Sequence, residues 1–292
     1  MIPEADQVGQ IKKMNDWALQ RMDYEIKGNW LTERVWEPHL VRSLNGADIE
    51  YMVVDDYHFL TTGPASKNLN GYFYTEQEGK VLSVFPINQK MRYAMPFEDP
   101  QVAIDILRSY TTENGDSLIV MADDGEKFGI WPGTWNTVYS QKWLERFFTL
   151  IGENSDWLTT TTFKQYHSNH LPRDLVYIPT SSYFEMSQWT LPTDLGRQMD
   201  HFVRDLEHQG KGDESRPFIK GGMWRNYFTK YPESNWMQKR VQFLSLNLSQ
   251  LESKGGIPSD LRDDLYRAQC NCAYWHGVFG GLYLPHLRHA IF

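Results

Sequence analysis

Short apolar runs alternate with amphipathic stretches over the first two-thirds of this chain, and that alternation limits the folds open to it. Runs at 28–32, 49–54, 80–86, 117–122, 157–161 and 175–179 have the length and composition of strands. Between them lie helical patterns. The stretch 38–44 closes at Asn45-Gly46, a fitting C-terminal stop. The stretch 100–110 follows Glu-Asp-Pro, and 140–152 sets Trp143, Phe147, Leu150 and Ile151 on one face. Strands and helices alternating at this spacing predict an α/β fold with a parallel sheet. A closed (β/α) barrel and an open doubly wound sheet share the pattern. Near residue 183 the strand signals fade. Long helical stretches follow at 194–209, 235–251 and 259–279, with a polar, Gly-containing hinge at 210–216. The expected division is an α/β domain over 1–182 and a helical subdomain over 183–292.

Composition narrows the function. The net charge is −8, with 37 acidic against 29 basic residues, so there is no basic stripe for nucleic acid. No run of about 18 apolar residues exists to cross a membrane. The opening MIPEADQVGQIKKM lacks the basic and apolar regions of a secretory signal. Cys270 and Cys272 sit too close for an ordinary disulfide and are too few for a metal site. They read as reduced thiols in a cytoplasmic protein, where the sequon at Asn247 has no meaning. Aromatic residues make up 14% of the chain. Flat rings stack on the apolar faces of sugars, although a Trp-rich core uses them equally well.

Three segments carry candidate chemistry. In GNWLTERVWEP a strand runs into Glu33, between Trp30 and Trp36, and Pro38 then opens a helix. A carboxylate at the C-terminal end of a strand is where α/β enzymes build their sites. The competing reading is a surface ion pair with Arg34. In LIVMADDGEKFGIWPG an apolar strand delivers Asp123, Asp124 and Glu126. Three close carboxylates repel, which raises the pKa of at least one and suits a general acid. A solvated acidic turn competes, but FGIWPG is too apolar for one, and the spacing is not that of a calcium loop. Two strand-end carboxylates suit glycoside hydrolysis, which needs one acid and one attacking or water-activating carboxylate. The third segment, AQCNCAYWHGVFGGLY, reads as a helix that breaks at Gly-Gly. It offers Asn271 and His276 to sugar hydroxyls and Trp275 as a stacking face, or else simply packs. His167 and His170 are three apart with no third ligand near, and read as solvated.

At these segments the chain resembles glycoside hydrolase family 57, in its 4-α-glucanotransferase and α-amylase branch. WLTERVWEP is similar to the family's nucleophile segment, ADDGEKFGIWPGTW to its acid/base segment, and AQCNCAYWHGVFGGLYLPHLR to its helical segment. VVDDYHF, IPTSSYFEMSQW and FTKYPESNWMQKR also match. The resemblance implies a (β/α)₇ barrel followed by a helical bundle, and a retaining double displacement on α-1,4-glucans without metal or cofactor. Glu33 would be the nucleophile and Asp124 the acid/base, preferred over Asp123 by its spacing to Gly129. Trp30, Trp131 and Trp275 would line sugar subsites, with Glu126, Asn271 and His276 as further substrate contacts. The family's His-x-His-Gln-Pro segment and C-terminal β-sandwich have no counterpart, so a partial barrel is expected. Cys272 stands where the family carries Asp, which weakens one sugar contact.

The leading expectation is a 4-α-glucanotransferase or α-amylase acting on an α-1,4-glucan or maltooligosaccharide, with a homodimer admitted as its assembly. The first alternative is a truncated glucan-binding piece without turnover. The second is a metal-dependent glycosidase of the α-mannosidase kind, disfavoured because no Asp/His metal set is clustered in the sequence.

Overall fold

The structure, a computed structural model, describes residues 2–63, 68–256, 258–276 and 280–292. Its strands are β1 (Gly28–Trp30), β2 (Tyr51–Asp55), β3 (Phe73–Gln77) and β4 (Lys80–Ile87). Its helices are α1 (Glu4–Met22), α2 (Leu40–Gly46), α3 (Gln89–Ala94), α4 (Pro100–Ser109), α5 (Trp143–Glu153), α6 (Phe163–Asn169), α7 (Phe184–Trp189), α8 (Thr193–His208), α9 (Gly212–Ser215), α10 (Asn226–Lys230), α11 (Pro232–Gly255), α12 (Ser259–Ala268) and α13 (Pro285–His289). They form two compact units. One comprises Lys27–Phe184 and Gln209–Lys220; the other takes the residues up to Ile26, Glu185–His208 and Gly221–Phe292.

The first unit has the expected α/β character, as a mixed sheet in the order β1-β2-β4-β3. Strands β1, β2 and β4 are parallel, with Gly28 opposite Tyr51 and Tyr51 opposite Ser83. All five residues of β2 are buried, as expected of a central strand covered on both faces. Strand β3 runs antiparallel to β4 and was not anticipated from the alternation. Its turn is Glu78-Gly79, with φ of 52° and 76° at the two positions. Two consecutive left-handed residues match the right-handed twist of a tight hairpin. Segment 117–122 is no regular strand; it makes one parallel bridge, Val120 to Ile87. Segment 175–179 likewise makes one, Leu175 to Tyr74, and 157–161 makes none.

The Val120 bridge matters because Ile87 is also opposite Asp55 of β2. The parallel series therefore reads β1, β2, β4, Val120, and every member leaves the sheet at the same end. Glu33 follows β1, Asp55 closes β2, α3 follows β4, and Asp123-Asp124 follow Val120. Tyr51, Val53, Tyr72, Phe85, Ile87 and Val120 form the core beneath them. Asp99 caps α4 by accepting the Gln101 N–H at 3.0 Å, with Pro100 in the first turn. Trp143 and Phe147 of α5 pack with Met91, Ala103 and Ile104, which fastens α3 beside the sheet.

The second unit is helical. Met237, Val241, Leu265, Ala268, Tyr274 and Leu282 form its core. Asp6 of α1 is buried, 1% exposed, and accepts bonds from Arg262 at 3.0 Å, Gln269 at 2.6 Å and Ser245. One carboxylate thus ties α1 to α11, α12 and the residue after α12. The expected helix 259–279 is shorter: α12 stops at Ala268, and Cys270 turns extended before a 3-10 turn, Asn271–Tyr274. Residues 277–279 of that expectation lie outside the described residues.

Asp6→Ala leaves Ser245 and Gln269 without their buried acceptor, while Arg262 keeps its pairing with Glu252, and is expected to lower stability by about 1–3 kcal/mol. Urea unfolding would show it as a lower midpoint; an unchanged midpoint would mean that Asp6 does not hold these helices.

Candidate active site

Glu33 sits in a 3-10 turn just past β1, with φ 58° and ψ 7°; Arg34 follows at φ 43°. Two successive non-Gly residues in the left-handed region are strained, and such strain persists only where surroundings fix it. Here they do. Ser182 Oγ donates to the Glu33 carbonyl at 2.6 Å, and Tyr183 Oη donates to Glu33 Oε2 at 2.8 Å. The antiparallel bridge Trp36–Ser181 holds the two segments side by side. The Arg34 guanidinium lies 4.3 Å above the Tyr183 ring. Arg34 is 5% exposed and turns to Asp55, with Nε 3.2 Å from Oδ2, an ion contact out of line for a hydrogen bond. The surface Glu33–Arg34 ion pair considered from sequence is therefore replaced by a buried Arg34–Asp55 pair.

The two aspartates after Val120 have separate fates. The Asp123 side chain is 2% exposed and lies between two cations. Arg92 Nη2 is 3.2 Å from its Oδ1, and Lys127 Nζ donates to its Oδ2. The Asp124 N–H also donates to Asp123 Oδ1, at 2.9 Å. Burial pulls the Lys127 ammonium below its ordinary value, while Asp123 holds it up. Asp124 is exposed. The mutual repulsion expected in this acidic cluster is met by cations at Asp123, and Asp124 is left able to reach a ligand.

Two further titratable groups lie at the end of β2. Burial, helped by the neighbouring Asp55 charge, pushes the Asp56 carboxyl up to about 7, although it accepts the Gln89 N–H at 3.0 Å. His58 is fully buried, with Nε2 2.8 Å from the Arg34 carbonyl and Nδ1 3.1 Å from that of Asp55. Burial pushes it down to about 4 against the pull of those carbonyls. A neutral ring donates to only one of them.

The other expected contact residues are distributed as follows. Trp30 ends β1, packed on the core, 5.9 Å from the Arg34 guanidinium carbon. Glu126 is exposed on the turn Gly125–Phe128, and its carbonyl accepts the Trp131 N–H at 3.0 Å. Gly129 in this loop has φ 139°, and a Cβ there would meet the Tyr139 ring at 2.9 Å. The Trp131 ring lies nearly parallel to that of Phe97, centroids 6.5 Å apart. In the helical unit Asn271 is exposed, Trp275 meets Tyr227 edge-on at 5.2 Å, and His276 stacks on Tyr231 at 4.0 Å. His167 is not solvated as expected: it is half-buried, 2.8 Å from Ser83 Oγ, against Tyr51 and Tyr72. His170 stacks on Tyr166 at 3.9 Å. Among the described residues no group of three His, Cys, Asp or Glu is arranged to hold a metal, and no helix is long and apolar enough to cross a membrane.

Sequence alone gives no role to Tyr183, Asp55, Arg92 or Lys127. Their segments VVDDYHF, IPTSSYFEMSQW and ADDGEKFGIWPGTW carried the resemblance, apart from Arg92, which lay in no quoted motif.

Residues 1–179 match the description "Glycosyl hydrolase family 57". The chain belongs to glycosyl hydrolase family 57. Residues 222–292 match "Alpha-amylase/4-alpha-glucanotransferase, middle domain". A 4-alpha-glucanotransferase of Thermococcus litoralis is 46% identical over 290 residues, 99% of this chain and 43% of that protein. An alpha-amylase of Pyrococcus furiosus is 44% identical with the same coverages. The crystal structure of the Thermococcus litoralis 4-alpha-glucanotransferase superposes with a TM-score of 0.93, covering 99% of this chain and 44% of that one. The chain thus spans less than half the length of these family 57 relatives.

Asp56 and His58 make opposite contributions to stability as pH changes. Folded Asp56 keeps a proton that the unfolded chain has lost, so its contribution falls as pH rises from about 4 to about 7. Folded His58 refuses a proton that the unfolded chain takes, so its contribution rises with pH between about 4 and 6.5. Asp56→Asn keeps an acceptor for Gln89 and removes the first effect. Its stability should rise from pH 4 to 6.5, and its advantage over the native chain should be larger at pH 8 than at pH 4. Denaturation at these pH values checks this, and parallel pH profiles would contradict it.

Proposed function

We propose that this family 57 chain carries the catalytic pair of a retaining α-1,4-glucan-active enzyme, a 4-α-glucanotransferase or α-amylase. The observation that supports it best is the common strand end at which Glu33 and Asp124 emerge, the first gripped by Tyr183 and Ser182, the second exposed beside a neutralised Asp123. Glu33 attacks the anomeric carbon and forms a glycosyl ester. Asp124 gives its proton to the departing glycosidic oxygen. In the second step the Asp124 carboxylate takes a proton from water or from an acceptor sugar hydroxyl, whose oxygen attacks the same carbon and frees Glu33. Two inversions give net retention.

Within the helical unit, Asn271, Trp275 and His276 are proposed as sugar contacts. Trp30 and Trp131 supply flat faces, and Glu126 a hydroxyl acceptor. The substrate is an α-1,4-glucan or maltooligosaccharide handled in the cytoplasm. The names of both relatives favour this class over a binding-only polypeptide.

Incubation with maltoheptaose tests the reading. Both longer and shorter oligosaccharides mean transfer, and a gain of reducing ends alone means hydrolysis. Glu33→Gln should lower either rate by about 10⁴-fold, and Asp124→Asn by about 10²–10⁴-fold. Tyr183→Phe strips one donor from Glu33 and should cost about tenfold. A chain that binds amylose without turnover, unaffected by Glu33→Gln, would contradict the proposal.

A further inference from the structure

One feature of the α/β unit reaches beyond the two carboxylates. Charges alternate along the strand ends in strict order. Arg34, after β1, contacts Asp55 at the end of β2, at 3.2 Å. Arg92, on α3 after β4, contacts the same Asp55 oxygen through Nη1 at 3.5 Å. Its other terminal nitrogen contacts Asp123, after Val120, at 3.2 Å. Lys127 closes the row, bonded to Asp123 and to the Arg92 carbonyl. Of these side chains, only that of Arg92 is more than a tenth exposed, at 14%.

The order of residues gives the row a meaning. Arg34 directly follows Glu33, and Asp123 directly precedes Asp124. Each proposed reacting carboxylate is thus the chain neighbour of a residue in the row. A peptide bond fixes adjacent Cα atoms 3.8 Å apart, so holding Arg34 and Asp123 restricts where Glu33 and Asp124 can be. Arg92 is the member that joins the halves. Its planar fork presents two nitrogens in fixed geometry, one to each carboxylate, which a lysine cannot reproduce.

We infer that Arg92, bridging Asp55 and Asp123, is a positioning residue that sets Asp124 relative to Glu33. The inference rests on the catalytic reading of that pair. Substrate need not touch Arg92. Retaining chemistry requires the two carboxyl groups about 5–5.5 Å apart, and a misplacement of about 1 Å can cost on the order of 100-fold in rate.

The test compares the full chain with Arg92→Met and Arg92→Lys on two substrates. A dinitrophenyl α-maltoside has a leaving group that needs no proton; maltoheptaose has one that does. Misplacing Asp124 should hurt the second far more than the first. Arg92→Met should lower kcat/KM on maltoheptaose about 10–100-fold, with a much smaller loss of kcat/KM on the dinitrophenyl substrate, because this constant ends at formation of the glycosyl ester and omits the later step in which Asp124 is the base. Arg92→Lys, able to hold one carboxylate but not both, should fall between, and it keeps the test valid if Arg92→Met does not fold. A crystal structure of the folded variant should show Asp124 displaced relative to Glu33. Rates within about twofold of the native chain, or equal losses on both substrates with Asp124 unmoved, would overturn the inference. Native turnover that vanishes in Glu33→Gln but ignores Arg92 sinks this inference alone. A native chain inert on both substrates sinks the proposed function and this inference with it.

Discussion

The arrangement at the strand ends depends on charge held out of water. The side chains of Asp55 and Asp123 are each 2% exposed and lie against Arg34, Arg92 and Lys127, the partners that charge at such depth needs. Burying such groups is costly and stabilises little by itself. What it yields is geometry, because each member has a partner in one place only. The three parallel strands and the Val120 bridge bring these residues to one end, and the charges then fix the loops that leave that end. Tyr51, Phe85 and Val120 in the core beneath keep the strand ends in register.

The same logic explains the backbone of Glu33. A glutamate and an arginine in consecutive left-handed conformations would relax in a free loop. They are held from three sides: Arg34 by Asp55 and the Tyr183 ring, the Arg34 carbonyl by His58, and Glu33 itself by Ser182 and Tyr183. The kinked turn thus holds the Glu33 carboxylate in one place, with the Tyr183 hydroxyl donating to it.

The strand before Glu33 is legible in the sequence because its signal is local, whereas the equally apolar run before Asp124 forms only the single bridge of Val120 to Ile87. An apolar run ending in a carboxylate is visible within ten residues. Strand β3 was hidden because its pattern, buried at Phe73 and Thr75 and exposed at Tyr74, is short and its Glu-Gly turn resembles an ordinary polar loop. The helix drawn through Asn271 failed because helical composition continues past Ala268 while the backbone does not. The positioning residues were beyond local reading altogether. Arg92 meets Asp55 and Asp123 across 37 and 31 residues, and Tyr183 meets Glu33 across 150. Nor does local reading of the adjacent Asp123 and Asp124 show that the first is buried between cations and the second exposed.

The central claim is that Glu33 is the nucleophile of a retaining reaction. Its most direct test is covalent trapping with a 5-fluoro-α-maltosyl fluoride, whose glycosyl-enzyme forms faster than it hydrolyses. Intact mass should rise by one fluoroglycosyl group, and peptide mapping should place it on Glu33. An adduct on another carboxylate, or an active chain that gives product of inverted anomeric configuration, would contradict the account.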